Sequence, residues 1–212
     1  MPIRTRLIAA AFFPPLLAAL GACSSMSAKE CGAVDWRAIG YQDGVAGRSG
    51  DHFGQYQSAC AKHGVRSDFA AYQAGRDDGL REYCQPANGY RVGVNGQDYA
   101  GVCPAPLERA FLSAYEAGHE LYTLEWRAEN AAHQLTAKRH ERNRIEQDII
   151  SNAAAIVSVE SIPEDRAHAL VRTHQLVERA GQVESEIAQL ERDKQRYDAD
   201  LENYRARLAS NR

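Results

Sequence analysis

Five cysteines carry the most reactive atoms in this 212-residue chain, at positions 23, 31, 60, 84 and 103. None of Cys31, Cys60, Cys84 and Cys103 falls in a CxxC pair, so a zinc site or a thiol redox couple lacks its spacing. Other candidate chemistry is thin. Asp77, Asp78 and Glu82 cluster as an acid–base group would, yet Arg76 and Arg81 beside them give the pattern of a solvated helix face. His119-Glu120 and His140-Glu141 begin an HExxH motif, but neither has the second histidine. His133 and His140 lie seven apart, a spacing that solvated helix histidines share with metal ligands. There is no GxSxG elbow, Walker loop or GxGxxG. The residues therefore predict no catalytic, cofactor-binding or metal site.

Cys23 differs from the other four because of what precedes it. Arg4 and Arg6 are followed by an uncharged apolar stretch from Leu7 to Leu20, interrupted by Pro14-Pro15. It is shorter than the roughly 20 residues a membrane-crossing helix needs, and prolines break a helix interior, so residues 1–22 have the form of a secretory signal. Leu20-Gly21-Ala22-Cys23 resembles the lipobox of bacterial lipoproteins. That resemblance implies cleavage before Cys23, acyl chains on Cys23 as a membrane anchor, and, with Ser24 following, sorting to the periplasmic face of the outer membrane. Residues 23–30 would form a short polar tether reaching ~25 Å at most. Loss of Arg4 and Arg6 leaves 23 basic residues against 28 acidic ones, a balance that disfavours nucleic acid as a partner.

In an exported chain the even set Cys31, Cys60, Cys84 and Cys103 predicts two disulfides. Three pairings are open; the sequential one, Cys31–Cys60 with Cys84–Cys103, is preferred, each bridge contributing about 3 kcal/mol. Such staples suit a small head over residues 31–118.

Within that head a short motif recurs as YQDG (41–44), YQAG (72–75) and YEAG (115–118), extended to Gly40, Gly44 and Gly47 in the first copy and Gly75 and Gly79 in the second. Glycines four apart share one helix face, and each costs the helix roughly 1 kcal/mol against alanine, so another element is expected close against that face. Charged residues interleave (Asp43, Arg48, Arg76, Asp77, Asp78), which argues against insertion of these helices into a membrane. Asn95-Gly96, flanked by Val92, Val94, Tyr99 and Val102, predicts a short β-hairpin. Most of the head's aromatic residues are expected in the core; a few exposed tyrosines would suit contact with cell-wall glycan.

Trp36, Gly40–Gly47, Cys60, YQAGRDDGLREYC and NGYRVGVNGQDYAGVCP together resemble a family of small proteobacterial envelope proteins known only as domain of unknown function 2799. The likeness covers roughly residues 30–122 and is most specific from Tyr72 to Pro104. It implies an exported, lipid-anchored protein, and it brings no activity, cofactor or catalytic residue.

Beyond Pro106 glycine becomes scarce and heptads begin. Leu121, Leu124, Ala128, Ala131, Leu135, Ile145, Ile149 and Ile156 share a seam that also carries Lys138, Arg142 and Asn152. Leu176, Ala180, Val183, Ile187, Leu190, Lys194, Tyr197, Leu201, Tyr204 and Leu208 form a second. Ser161 and Glu164 have capping-box spacing with Pro163 in the first turn. Two helices, about 107–159 and 162–209, are expected to fold back as an antiparallel hairpin over residues 119–212. The whole predicts a mainly α protein: a disulfide-stapled helical head with a short β-hairpin, then a long helical hairpin. The expected function is non-enzymatic, an envelope scaffold that engages a protein partner through the arms. A head that binds cell-wall glycan is the alternative, and a hydrolase using Asp77 or Asp78 the third.

Overall fold

A computed structural model describes residues 26–158 and 162–210. The signal segment, Cys23 and Ser161 lie outside them. The described chain is helical: α1 (Ala28–Ala33), α2 (Trp36–Val45), α3 (His52–Ala61), α4 (Phe69–Tyr83), α5 (Pro86–Val94), α6 (Ala105–Val157) and α7 (Pro163–Ser210). Local chemistry sets several boundaries. Ser27 caps α1 in a reciprocal capping box with Glu30, Asp35 caps α2 through the Arg37 and Ala38 amides, and Asp68 caps α4 through the Ala71 amide.

The expected β-hairpin is absent, because Pro86 to Val94 is helix. Pro86 starts α5 at its first turn, where its missing N–H costs nothing. A type I′ turn needs positive φ at both central residues, but Asn95 sits at −80° and only Gly96, at +65°, is left-handed. The Asn-Gly pair instead closes a helix: the Gly96 amide donates to the Gly93 carbonyl and the Gln97 amide to the Val92 carbonyl, the Schellman pattern. Gly47, at +67°, ends α2 with the same pair of bonds, to Gly44 and Asp43.

Those matching ends belong to a duplication. GYQDGVAG (40–47) in α2 corresponds to GYRVGVNG (89–96) in α5, and Tyr72, Gly79 and Tyr83 of α4 correspond to Phe111, Gly118 and Tyr122 of α6. Most of the close contacts correspond, although Ala114 stands where the first pair has Gly75. A methyl on Gly40 would overlap the Tyr72 carbonyl, as one on Gly89 would the Phe111 carbonyl. Gly79 meets the Tyr41 carbonyl as Gly118 meets that of Tyr90, and Gly47 lies on the Tyr83 ring as Gly96 lies on Tyr122. The head is therefore two helix pairs, α2 with α4 and α5 with α6, each closed so tightly that backbone meets backbone. Two disulfides brace them: Cys31–Cys60 ties α1 to α3 beside the first pair, and Cys84–Cys103 ties the end of α4 to the loop before α6.

Aromatic cores complete the pairs. Trp36, Phe53 and Tyr72 pack with Cys31 and Cys60; Leu80, Val92 and Phe111 pack with Cys84 and Cys103. The first pair has α3 as a third element. The second has only the 97–103 loop, from which Tyr99 packs on Phe111 with ring centroids 4.8 Å apart.

From the head, α6 continues unbroken and α7 folds back along it. Near the head Leu124, Ala128 and Leu201 form the seam; further out it passes to Leu135, Ile145, Val183 and Ile187. The Tyr204 hydroxyl donates to the Ala117 carbonyl at 2.8 Å, fastening the end of α7 to the head. At 1.5 Å per residue the arms run about 70–80 Å. The cation Lys138 enters the seam in company: it pairs with Glu186 at 2.5 Å and Glu141 at 2.9 Å, and Glu141 also receives Arg179. Those hydrogen bonds, Glu186 first, hold the ammonium above its usual range.

Candidate functional site

The glycine faces of α2 and α4 bring two charged side chains into the first pair. Asp43 lies between Gly40 and Gly44 on the face that meets α4, and is 2% exposed. Its carboxylate accepts from the Tyr72 hydroxyl at 2.9 Å, the Tyr56 hydroxyl at 3.3 Å and the Arg48 guanidinium at 3.0 Å. Arg76, one helical turn beyond Tyr72 and nine-tenths buried, donates to the Arg48 carbonyl at 3.0 Å. A buried carboxylate with three donors is satisfied, and at this exposure it has no path to bulk solvent. Its chemistry is that of a fixed anion holding α2, α3 and α4 in register.

The second pair shows that the fold does not demand such a hub. Val92, Phe111 and Tyr115 stand where the first pair has Asp43, Tyr72 and Arg76, and that interior is apolar and aromatic. The polar group is a property of one copy.

Burial pushes the Tyr72 phenol far above its ordinary range, and the Asp43 hydrogen bond adds to the shift. Burial likewise raises Tyr56 and Tyr83. An unfolded tyrosine ionises near pH 10, so above that pH the unfolded chain binds fewer protons than the native one and stability falls as pH rises. The urea midpoint of the head is expected to drop between pH 9 and 11.5. In Tyr72→Phe the drop should be measurably shallower; an unchanged slope would overturn the assignment.

The residues singled out by sequence are dispersed. Asp78 pairs with Arg37 at 2.6 Å and Arg81 at 3.3 Å, Asp77 accepts from Gln73 at 2.8 Å, and Glu82 accepts from the Tyr41 hydroxyl at 2.7 Å. These three carboxylates are engaged across the surface of the α2–α4 pair. Arg76, grouped with them by sequence, is not on that surface. His133 lies 3.6 Å from Glu129 on α6, and no group of three or more potential ligands for a metal ion gathers among the described residues. Asp43 was missed, although its place between two packing glycines is a signal that it must be buried.

Between α4 and the entry to α6 lies a half-open cavity of about 560 Å³, lined by Arg76, Asp77, Leu80, Arg81, Val102 and Leu107 among others. On the arms the opposite character appears. Close to the head and midway along, the flank carries ion pairs, Glu125–Arg205 and Arg139–Glu191, both 2.8 Å. Past the middle the same flank turns aliphatic: Ile150 is 61% exposed, Val157 79%, Leu170 57% and Val177 54%. In the heptad register all four fall on one side of the two-helix layer.

The architecture defines a class: a small, disulfide-stapled head of two duplicated helix pairs carried on an antiparallel helical arm. Residues 35–120 match the family described as Protein of unknown function (DUF2799), and this segment is a member of it. No curated protein matches the chain, and no solved structure does. The match takes in both helix pairs but not the arms.

Proposed function

We propose that the protein is a lipid-anchored scaffold of the cell envelope, held by acyl chains on Cys23 at the periplasmic face of the outer membrane. It engages a protein partner, non-enzymatically, through the far half of its arm. The exposed aliphatic flank of Ile150, Val157, Leu170 and Val177 carries this reading. Apolar patches kept in water mark contact surfaces, and a two-helix layer with a second apolar side is completed by a further amphipathic helix. Two disulfides accord with an oxidising compartment. No helix among the described residues is long and apolar enough to cross a membrane; the lipobox-like Leu20-Gly21-Ala22-Cys23 is what supports a lipid anchor.

Photo-crosslinking in cells from position 170 or 177 is expected to capture one discrete protein, identified by mass spectrometry. Position 192, exposed on the same helix nearer the head, should capture none. Leu170→Glu should abolish capture from 177 without changing helicity. An arm that captures nothing, while the protein sediments with purified cell wall, would replace this reading with glycan binding by the head.

A further inference from the structure

One residue lining the head cavity, Arg76, carries a buried charge with no ion-pair partner among the described residues. Arg76 is 9% exposed, and the Asp43 carboxylate pairs with Arg48 instead. Among the described residues the Arg76 guanidinium makes one hydrogen bond, from Nη2 to the Arg48 carbonyl, and the buried Nε has no partner. A buried cation is costly unless a counter-charge meets it. Arg81, on the same wall, is mostly exposed and only loosely tied to Asp78 at 3.3 Å. The single acid of the lining, Asp77, is bonded to Gln73.

The rest of the lining is apolar, with Leu80 from α4 and Val102 and Leu107 from the entry to α6. That entry is the positive end of a 53-residue helix whose N-cap, Pro104, offers no side chain to its amides. The helix pair does not need the cation, because Tyr115 serves at the equivalent place in the second pair. The volume is that of a small-ligand site.

We propose that this cavity binds a monocarboxylate with an aliphatic body, its head group between Arg76 and Arg81 and its chain along Leu80, Val102 and Leu107. The site is separate from the arm and stands whether or not the arm has a partner.

Octanoate titrated calorimetrically into the full chain should bind saturably at one site, and 1-octanol at least tenfold more weakly. Arg76→Gln should weaken octanoate at least tenfold. Leu107→Trp, which fills the cavity and leaves the guanidinium in place, should abolish binding with an unchanged urea midpoint. If Arg76→Gln fails to fold, the tryptophan variant decides alone. Absence of saturable binding, equal affinity for octanol, or binding that survives Leu107→Trp would each overturn the proposal; the last result would locate the ligand on the apolar arm.

Discussion

Replacing Gly75 by valine is expected to unfold the first helix pair. A Cβ at this position would overlap the Arg37 carbonyl and crowd the Tyr41 amide, and both neighbours are backbone inside a helix. Neither can swing aside as a flexible side chain does, so α2 and α4 must separate. Separation uncovers Trp36, Phe53 and Tyr72 together. Overpacking a core costs about 1–3 kcal/mol and occasionally more; with helical backbone as the obstacle, a loss of about 3 kcal/mol or more is expected. Thermal unfolding followed by near-ultraviolet circular dichroism should show a large fall in midpoint. Gly181→Ala supplies the contrast. It lies mid-helix in α7 with nothing within 4 Å of the added carbon, so it should stabilise by up to about 1 kcal/mol through helix propensity alone. If Gly75→Val were tolerated as easily, the close approach of the two helices would be wrong.

The second large effect concerns the buried carboxylate. Asp43→Ala removes the acceptor for Tyr72, Tyr56 and Arg48 at once, leaving the buried Tyr72 hydroxyl without an acceptor and a void beneath the half-exposed Arg48. An unsatisfied buried donor costs about 1–3 kcal/mol, and the lost link among three helices adds to it. The second helix pair suggests the rescue. Asp43→Val with Tyr72→Phe and Arg76→Tyr gives the first pair the residues found at Val92, Phe111 and Tyr115, and removes the buried Tyr72 hydroxyl along with its acceptor, while Tyr56 and Arg48 can turn to water. Urea unfolding should show the single variant severely destabilised and the triple variant recovering more than half of the loss. Equal stability of the two would mean that Asp43 contributes by shape rather than charge. The triple variant should also lose octanoate binding, since the guanidinium has gone.

The arms were legible in the sequence and the head only in part, for physical reasons. Heptad spacing extends over many turns and depends on no distant residue, so helices expected near 107–159 and 162–209 are found at Ala105–Val157 and Pro163–Ser210. Asn95-Gly96 misled because one left-handed glycine serves two purposes. It turns a hairpin when the preceding residue is also left-handed, and it ends a helix when that residue is right-handed, as Asn95 is. What could have decided between them was Gly89 and Gly93, four apart and on one face like Gly40 and Gly44.

The duplication was obscured by following tyrosine before glycine. YQDG, YQAG and YEAG look like three copies, yet the true correspondence joins residues 40–47 to 89–96 and 72–83 to 111–122. Unequal spacing hid it, because α3 lies between the partners in the first pair and only a loop in the second. Arg76 was placed with its exposed neighbours because sequence adjacency on a helix says nothing about which face a neighbouring helix covers.

One consequence follows from the path of α6. Leu107, at the rim of the cavity, and Val157, at the far end of the arm, belong to the same uninterrupted helix, about 75 Å apart. No joint separates grip from fingertip. A load applied at the tip is therefore expected at the mouth of the cavity as tilt, to the extent that the seam with α7 keeps the bar straight.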